Sequence, residues 1–216
     1  MKKQYAVFGL GNFGRSVALT LESLGCDVVV VDKSAEKIQE IADFVSYAMR
    51  ADVSDADVLK SLGARNLDGA VVAVSENMEA SIMATIISKE LGIPYVMAKA
   101  KNDLHATILE KIGADNIVYP ERDMGSRVAK NLVSTAFAEW IELSPNYSLV
   151  ERVIPTEWEG KSLVELKLRE RYHINVVGLI IDGSVNVEIN PNEPIPPKTI
   201  MILIGSNNRL EKMERP

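Results

Sequence analysis

The sequence predicts an α/β protein, a Rossmann-like doubly wound parallel sheet followed by a small α+β domain. Three observations carry that prediction. Short apolar runs alternate with longer stretches of helical spacing from Tyr5 to Tyr119. The first run leads into a glycine triplet, Gly9, Gly11 and Gly14, which opens a helical stretch. Later the alternation gives way to strand-like runs, two of them joined by Asp182-Gly183, a strong hairpin signal.

The candidate strands of the first half are Tyr5 to Gly9, Asp27 to Asp32, Ala48 to Ala51, Gly69 to Val74, Tyr95 to Ala98 and Asn116 to Tyr119. Each is short and nearly all apolar, as strands covered on both faces must be. Between them, Gly14 to Leu24 sets Val17, Leu21 and Leu24 on one face, and Ala35 to Asp43, Asp55 to Leu62, Met78 to Leu91 and Leu104 to Ile112 are amphipathic in the same way. Gly25, Gly63, Gly92 and Gly113 close several of these helices, where the chain needs a left-handed residue. After Pro120, a long helix is expected over Asp123 to Ile141, with Met124, Val128, Leu132, Ala136 and Trp140 as an apolar stripe suited to a partner subunit. Residues 142–148 read as a linker. The domain from 149 to 216 should hold strands at Leu149 to Pro155, Asn175 to Ile181, Ser184 to Glu188 and Thr199 to Gly205, with one helix at Ser162 to Tyr172. The first domain is then 1–141, with the long helix included.

Composition narrows the function. Lys and Arg number 24 against 30 Asp and Glu, a net charge of −6, which gives no gain from counterion release on nucleic acid. The single cysteine, Cys26, builds neither a disulfide nor a cysteine-rich metal site and suits a reducing cytoplasm. The apolar runs are far shorter than the roughly 20 residues of a membrane-crossing helix, and the N-terminus carries no leader pattern, so any contact with a membrane is expected through a partner.

The Gly9-Leu10-Gly11-Asn12-Phe13-Gly14 turn lies between a strand and a helix, where backbone can approach a pyrophosphate and free N–H groups face the anion. Asp32 ends the second strand about 20 residues later, placed for ribose hydroxyls and against the 2′-phosphate of NADP. This pair predicts an adenosine nucleotide without separating NAD from ATP, ADP or AMP. Asp52 and Val53, after the third strand, lie where adenine passes, and Val74 and Ser75 end the fourth. Asp52 and Ser75 serve equally well as helix caps. Catalysis has little support. His105, His173 and Cys26 read as structural or surface residues with no assignable partner, so binding without chemistry leads, with a NAD-dependent oxidoreductase or a nucleotide-binding scaffold as alternatives.

Phe8-Gly-Leu-Gly-Asn-Phe-Gly, Asp32-Lys33, Glu90-Leu-Gly-Ile-Pro, Lys99-Ala-Lys, Glu110-Lys-Ile-Gly-Ala-Asp and Tyr119-Pro-Glu-Arg-Asp-Met-Gly together resemble the regulatory subunits of Ktr and Trk potassium transporters, built from RCK (regulator of conductance of potassium) domains. The resemblance covers nearly the whole chain, an RCK-N domain followed by an RCK-C domain. It implies a cytoplasmic gating subunit in which ATP and ADP, or NAD(H) in Trk relatives, compete for the Rossmann crevice. It also implies dimers closing into an octameric ring on an integral-membrane potassium-translocating subunit. By matched positions, Gly9, Gly11 and Gly14 lie under the phosphates, Asp32 and Lys33 at the ribose, and Asp52 and Val53 at adenine. Lys99 falls near the terminal phosphates. Glu121 reaches a neighbouring subunit's site through Mg2+ or Ca2+. Asn12 stands where many Ktr members carry an arginine, and Arg15 follows the last glycine instead, which leaves AMP, ADP and NAD credible beside ATP. In RCK-C, Arg169, Asn175 and Pro191 match a site for cyclic di-AMP, and are equally a solvated helix face, a strand start and a loop.

Overall fold

The computed structural model describes residues 2–62, 66–133 and 137–214, and the chain divides into two units, Met1–Glu121 and Arg122–Pro216. In the first, β1 (Gln4–Phe8), β2 (Asp27–Asp32), β3 (Tyr47–Arg50), β4 (Gly69–Val72), β5 (Val96–Lys99) and β6 (Asn116–Val118) pair in parallel in the order β3-β2-β1-β4-β5-β6. The crossovers are α1 (Asn12–Ser23), α2 (Ala35–Ile41), α3 (Ala56–Ser61), α4 (Met78–Glu90) and α5 (Asp103–Lys111).

The runs are apolar because both faces of the sheet are covered. In β1 and β2, Val7, Val28 and Val30 join a core with Ala18 of α1 and Ile41 of α2. Ala6, Phe8 and Val31 point the other way, into a core with Ala84 and Ile87 of α4 and Leu109 of α5. Fully burying each larger side chain contributes about 1.5–3 kcal/mol. Gly25, Gly92 and Gly113 take the expected positive φ, and Gly63 lies outside the described residues.

Asn77 caps α4 and Asn102 caps α5, each accepting a first-turn backbone N–H, at 3.0 and 2.9 Å. The N-cap of α1 is Gly11, which has no side chain to offer. The first N–H groups of α1 therefore have no side-chain acceptor from the N-cap. The switch in strand order falls between β1 and β4, directly beside that helix start.

The second unit differs from expectation where it begins. The helix α6 (Pro120–Val133), entered from the first unit, ends eight residues before Ile141, and the chain then forms β7 (Phe137–Ser144). Antiparallel pairing joins β7 to β8 (Tyr147–Val153), so residues 142–148 are the tip of a hairpin and no linker. The stripe misled because a spacing of four residues is almost one helical turn and also twice the strand period. Its Ala136 lies outside the described residues. Asn131 Oδ1 accepts Trp140 N at 3.0 Å, and Arg127 pairs with Glu139 at 3.4 Å, fastening α6 to β7.

The remaining elements are α7 (Leu163–Leu166), α8 (Leu168–Tyr172), β9 (Asn175–Ile181), β10 (Ser184–Asn186), β11 (Ile200–Ser206) and α9 (Asn207–Glu214), with sheet order β10-β9-β11-β8-β7. The single helix expected at Ser162 to Tyr172 is two short ones, broken at Lys167, whose φ of 49° is left-handed. Asp182 and Gly183, at φ 50° and 79°, make the expected tight hairpin between β9 and β10. Trp140, Trp158, Leu203 and Leu210 lie in the core of this unit.

Candidate functional site

A cleft of about 360 Å³ opens in the first unit at the carboxyl ends of the strands. Gly9, Gly11 and Asn12 line it after β1, Asp32 and Lys33 at the end of β2, and Ala51, Asp52 and Val53 after β3. Val74 and Ser75 follow β4, Lys99 ends β5, and Glu121 enters from the first turn of α6.

The glycines differ in what they do. Gly9 has φ 97°, and a Cβ there would sit 2.6 Å from Val74 Cγ2. A Cβ on Gly14 would lie 2.0 Å from Gly9 O and 2.9 Å from Ala73 Cβ, so Gly14 lets α1 press onto the β1 and β4 turns and does not line the cleft. A Cβ on Gly11 meets nothing within 4 Å, and its backbone (φ −69°, ψ 177°) suits any residue. Nothing within the chain requires glycine there, and the space at the helix start is open.

Asp32 is buried, and both its oxygens are anchored, Oδ2 by Leu10 N at 2.6 Å and Oδ1 by Ser34 N at 2.8 Å. These bonds fix the carboxylate while leaving further lone pairs for ribose hydroxyls. Lys37 Nζ lies 4.0 Å away and also lines the cleft. Sequence reasoning passed over Lys37, which looks like any exposed lysine on a helix. Glu76 and Asn77, after β4, were missed for the same reason.

Neither capping alternative holds. Asp52 Oδ1 accepts Ser54 Oγ at 2.6 Å and Ser54 N at 2.9 Å, bonds that hold its carboxyl below the usual carboxylate range, while Asp55 is the cap of α3. Asn77, not Ser75, caps α4. Val53 is buried at the cleft wall. Phe13 is half-buried, its ring 6.0 Å from Lys99 Nζ, and Arg15 is exposed and outside the cleft lining.

At the far end Lys99 Nζ donates to Glu121 Oε1 at 2.5 Å. The Lys99 side chain is only 13% exposed and that of Glu121 is 73% exposed. The ammonium holds the Glu121 carboxyl below its ordinary range. Among the described residues no group of three His, Cys, Asp or Glu side chains could hold a metal ion, and this carboxylate is already neutralised by its own lysine. The Mg2+ or Ca2+ expected at Glu121 would draw its other ligands from nucleotide phosphates and a neighbouring subunit.

His105 is fully buried at the start of α5, where its Nδ1 accepts Lys101 N at 3.3 Å and burial lowers its pKa. In the second unit, Asn175 lines a recess with His173, Tyr147 and Arg209, whereas Arg169 and Pro191 are exposed outside it. Among the described residues no helix is long and apolar enough to cross a membrane.

Residues 5–120 match the TrkA-N domain model and residues 149–216 the TrkA-C domain model. The chain is 43% identical over 215 residues to the Ktr system potassium uptake protein C of Bacillus subtilis, covering 100% of this chain and 97% of that protein. It is 34% identical over 212 residues to the Ktr system potassium uptake protein A of the same organism, covering 98% and 96%. Among solved structures it resembles the GsuK channel bound to NAD, with a TM-score of 0.68 at 19% identity, covering 99% of this chain and 39% of that one. The chain thus spans less than half the length of the channel protein whose fold it shares.

Proposed function

We propose, for a chain that belongs to the TrkA-N and TrkA-C family of Ktr and Trk potassium uptake proteins, a role as the nucleotide-sensing regulatory subunit of a potassium transporter. The observation that carries the proposal is the anchored Asp32 carboxylate beside an uncapped helix start, both lining one cleft. The carboxylate can hold a ribose and the helix start next to it a phosphate, the two groups that adjoin in an adenosine nucleotide. ADP and ATP are the favoured ligands, with AMP and NAD(H) as further occupants, and the NAD bound by the GsuK channel is in keeping with this. The bound nucleotide supplies charge at the phosphate end. The chain supplies the grip and the response.

The subunit acts on the cytoplasmic side, as a dimer that assembles further into a ring and bears on an integral-membrane potassium-translocating partner. Met124, Val128 and Leu132 of α6, exposed at 50%, 47% and 80%, form the apolar seam suited to pairing two copies. In the second unit the recess at Asn175 and the neighbouring Arg169 offer a phosphate and base-edge site for cyclic di-AMP. Calorimetric titration of the wild type and Asp32→Ala with ATP, ADP, AMP and NADH tests the first site. Binding that survives Asp32→Ala undiminished rejects it. Titration of Arg169→Ala with cyclic di-AMP tests the second.

A further inference from the structure

The Lys99–Glu121 pair lies where the nucleotide reading puts the end of the phosphate chain, and its two members are unequally held. Lys99 is the last residue of β5, a strand flanked on both sides by others, and its side chain is packed into the cleft wall. Glu121 follows Pro120 in the opening turn of α6, and nearly three quarters of its side chain is in water. An incoming anion therefore meets a fixed cation whose partner is free to leave. Carboxylate and phosphate oxygens accept from the same ammonium protons, and Lys99 is too enclosed to serve both without bringing two anions together.

We infer that Glu121 is a built-in competitor for a terminal phosphate on Lys99, so that a nucleotide long enough to reach Lys99 must displace Glu121 and free the first turn of α6. The inference rests on the nucleotide reading and adds both a selectivity and an output to it. AMP, whose one phosphate belongs at Gly11, leaves the pair closed. ADP and ATP carry a terminal phosphate with a charge near −2 and can outcompete a single carboxylate. NADH, whose diphosphate bridges two nucleosides and has no terminal phosphate, competes less. The freed segment is the start of the helix that continues into the second unit.

The test is equilibrium binding of ADP and AMP in EDTA to the full chain as wild type, Glu121→Gln, Lys99→Gln and the double variant. Removing the competitor should tighten ADP about threefold to fivefold, the range of a partly exposed ion pair, and the gain should shrink in high salt. AMP affinity should stay the same. Lys99→Gln should weaken ADP about tenfold, and in that background Glu121→Gln should add nothing, because its effect passes through the lysine. Unchanged or weaker ADP binding by Glu121→Gln overturns the inference alone and leaves the nucleotide reading standing. A wild type that binds no ADP overturns the nucleotide reading and this inference with it. Thermal unfolding of each variant separates lost binding from lost folding.

Discussion

Replacing Gly14 by alanine should damage the fold, and replacing Gly11 by alanine should damage only the site. At position 14 the added carbon falls 2.0 Å from Gly9 O and 2.9 Å from Ala73 Cβ. Gly9 cannot yield easily, because its N–H is bonded to Val31 O at 2.8 Å and its φ of 97° leaves it against Val74. Either α1 lifts off the sheet or the β1 turn distorts, at a cost of about 3 kcal/mol, the upper end for overpacking. Alanine recovers about 1 kcal/mol through helix propensity and a less flexible unfolded chain, so the net loss is about 2 kcal/mol. For a chain of this size that lowers the unfolding midpoint by about 4–8 °C. At position 11 nothing lies within 4 Å and the backbone angles suit alanine, so the midpoint should change little, alanine's poorer N-capping offsetting the gain from a less flexible unfolded chain. ADP affinity should nonetheless fall about tenfold or more, as the methyl group fills the phosphate's approach to the helix start. Scanning calorimetry and titration calorimetry on the two variants read out both effects. If Gly14→Ala melts with the wild type, or Gly11→Ala binds ADP normally, the division of labour between these glycines is wrong.

Asp32→Ala should lose stability as well as binding, because the buried Leu10 N–H and the Ser34 N–H lose their acceptor. Each buried unsatisfied group costs about 1–3 kcal/mol, measurable by urea unfolding. The buried His105 should make stability depend on pH: its folded pKa lies below its unfolded value, so the unfolded chain binds the extra proton first. Its contribution is complete above about pH 6.5 and falls as the pH drops below that, by no more than about 1.4 kcal/mol per pH unit, until the folded pKa is passed. A His105→Asn variant should show a flatter melting profile between pH 7 and 5, and an unchanged slope would remove His105 as the cause. Leu132→Asp, placed on the most exposed residue of the α6 stripe, should shift the oligomer toward monomer in light scattering while the circular dichroism of the folded chain stays unchanged.

The parallel sheet was legible because a strand covered on both faces must be apolar throughout, and Val28 to Val31 can hardly be anything else. The second unit hid more. Trp140 was four residues from Ala136 and eight from Leu132, and that spacing cannot tell a turn of helix from two steps of strand. Lys167 breaks a helix without the glycine or proline that usually announces a break. The helix α9 was overlooked because only Leu210 and Met213 of Asn207–Glu214 are buried apolar side chains, too few for a visible stripe. At the cleft, Asp32 and the glycines were readable since fixed offsets along the chain place them. Lys37 and Glu76 reach the same space through tertiary packing, which leaves no local trace.

The TrkA-C match begins at residue 149, yet β7 ends five residues before it and supplies Trp140 to the core. A fragment cut at the start of the match would carry β8 as a bare margin, its amide and carbonyl row uncovered along the side where β7 belongs. Such a piece should stick to copies of itself or clump during purification, while one begun at residue 122 should stay in solution. The inheritable module and the mechanical one have different starting points.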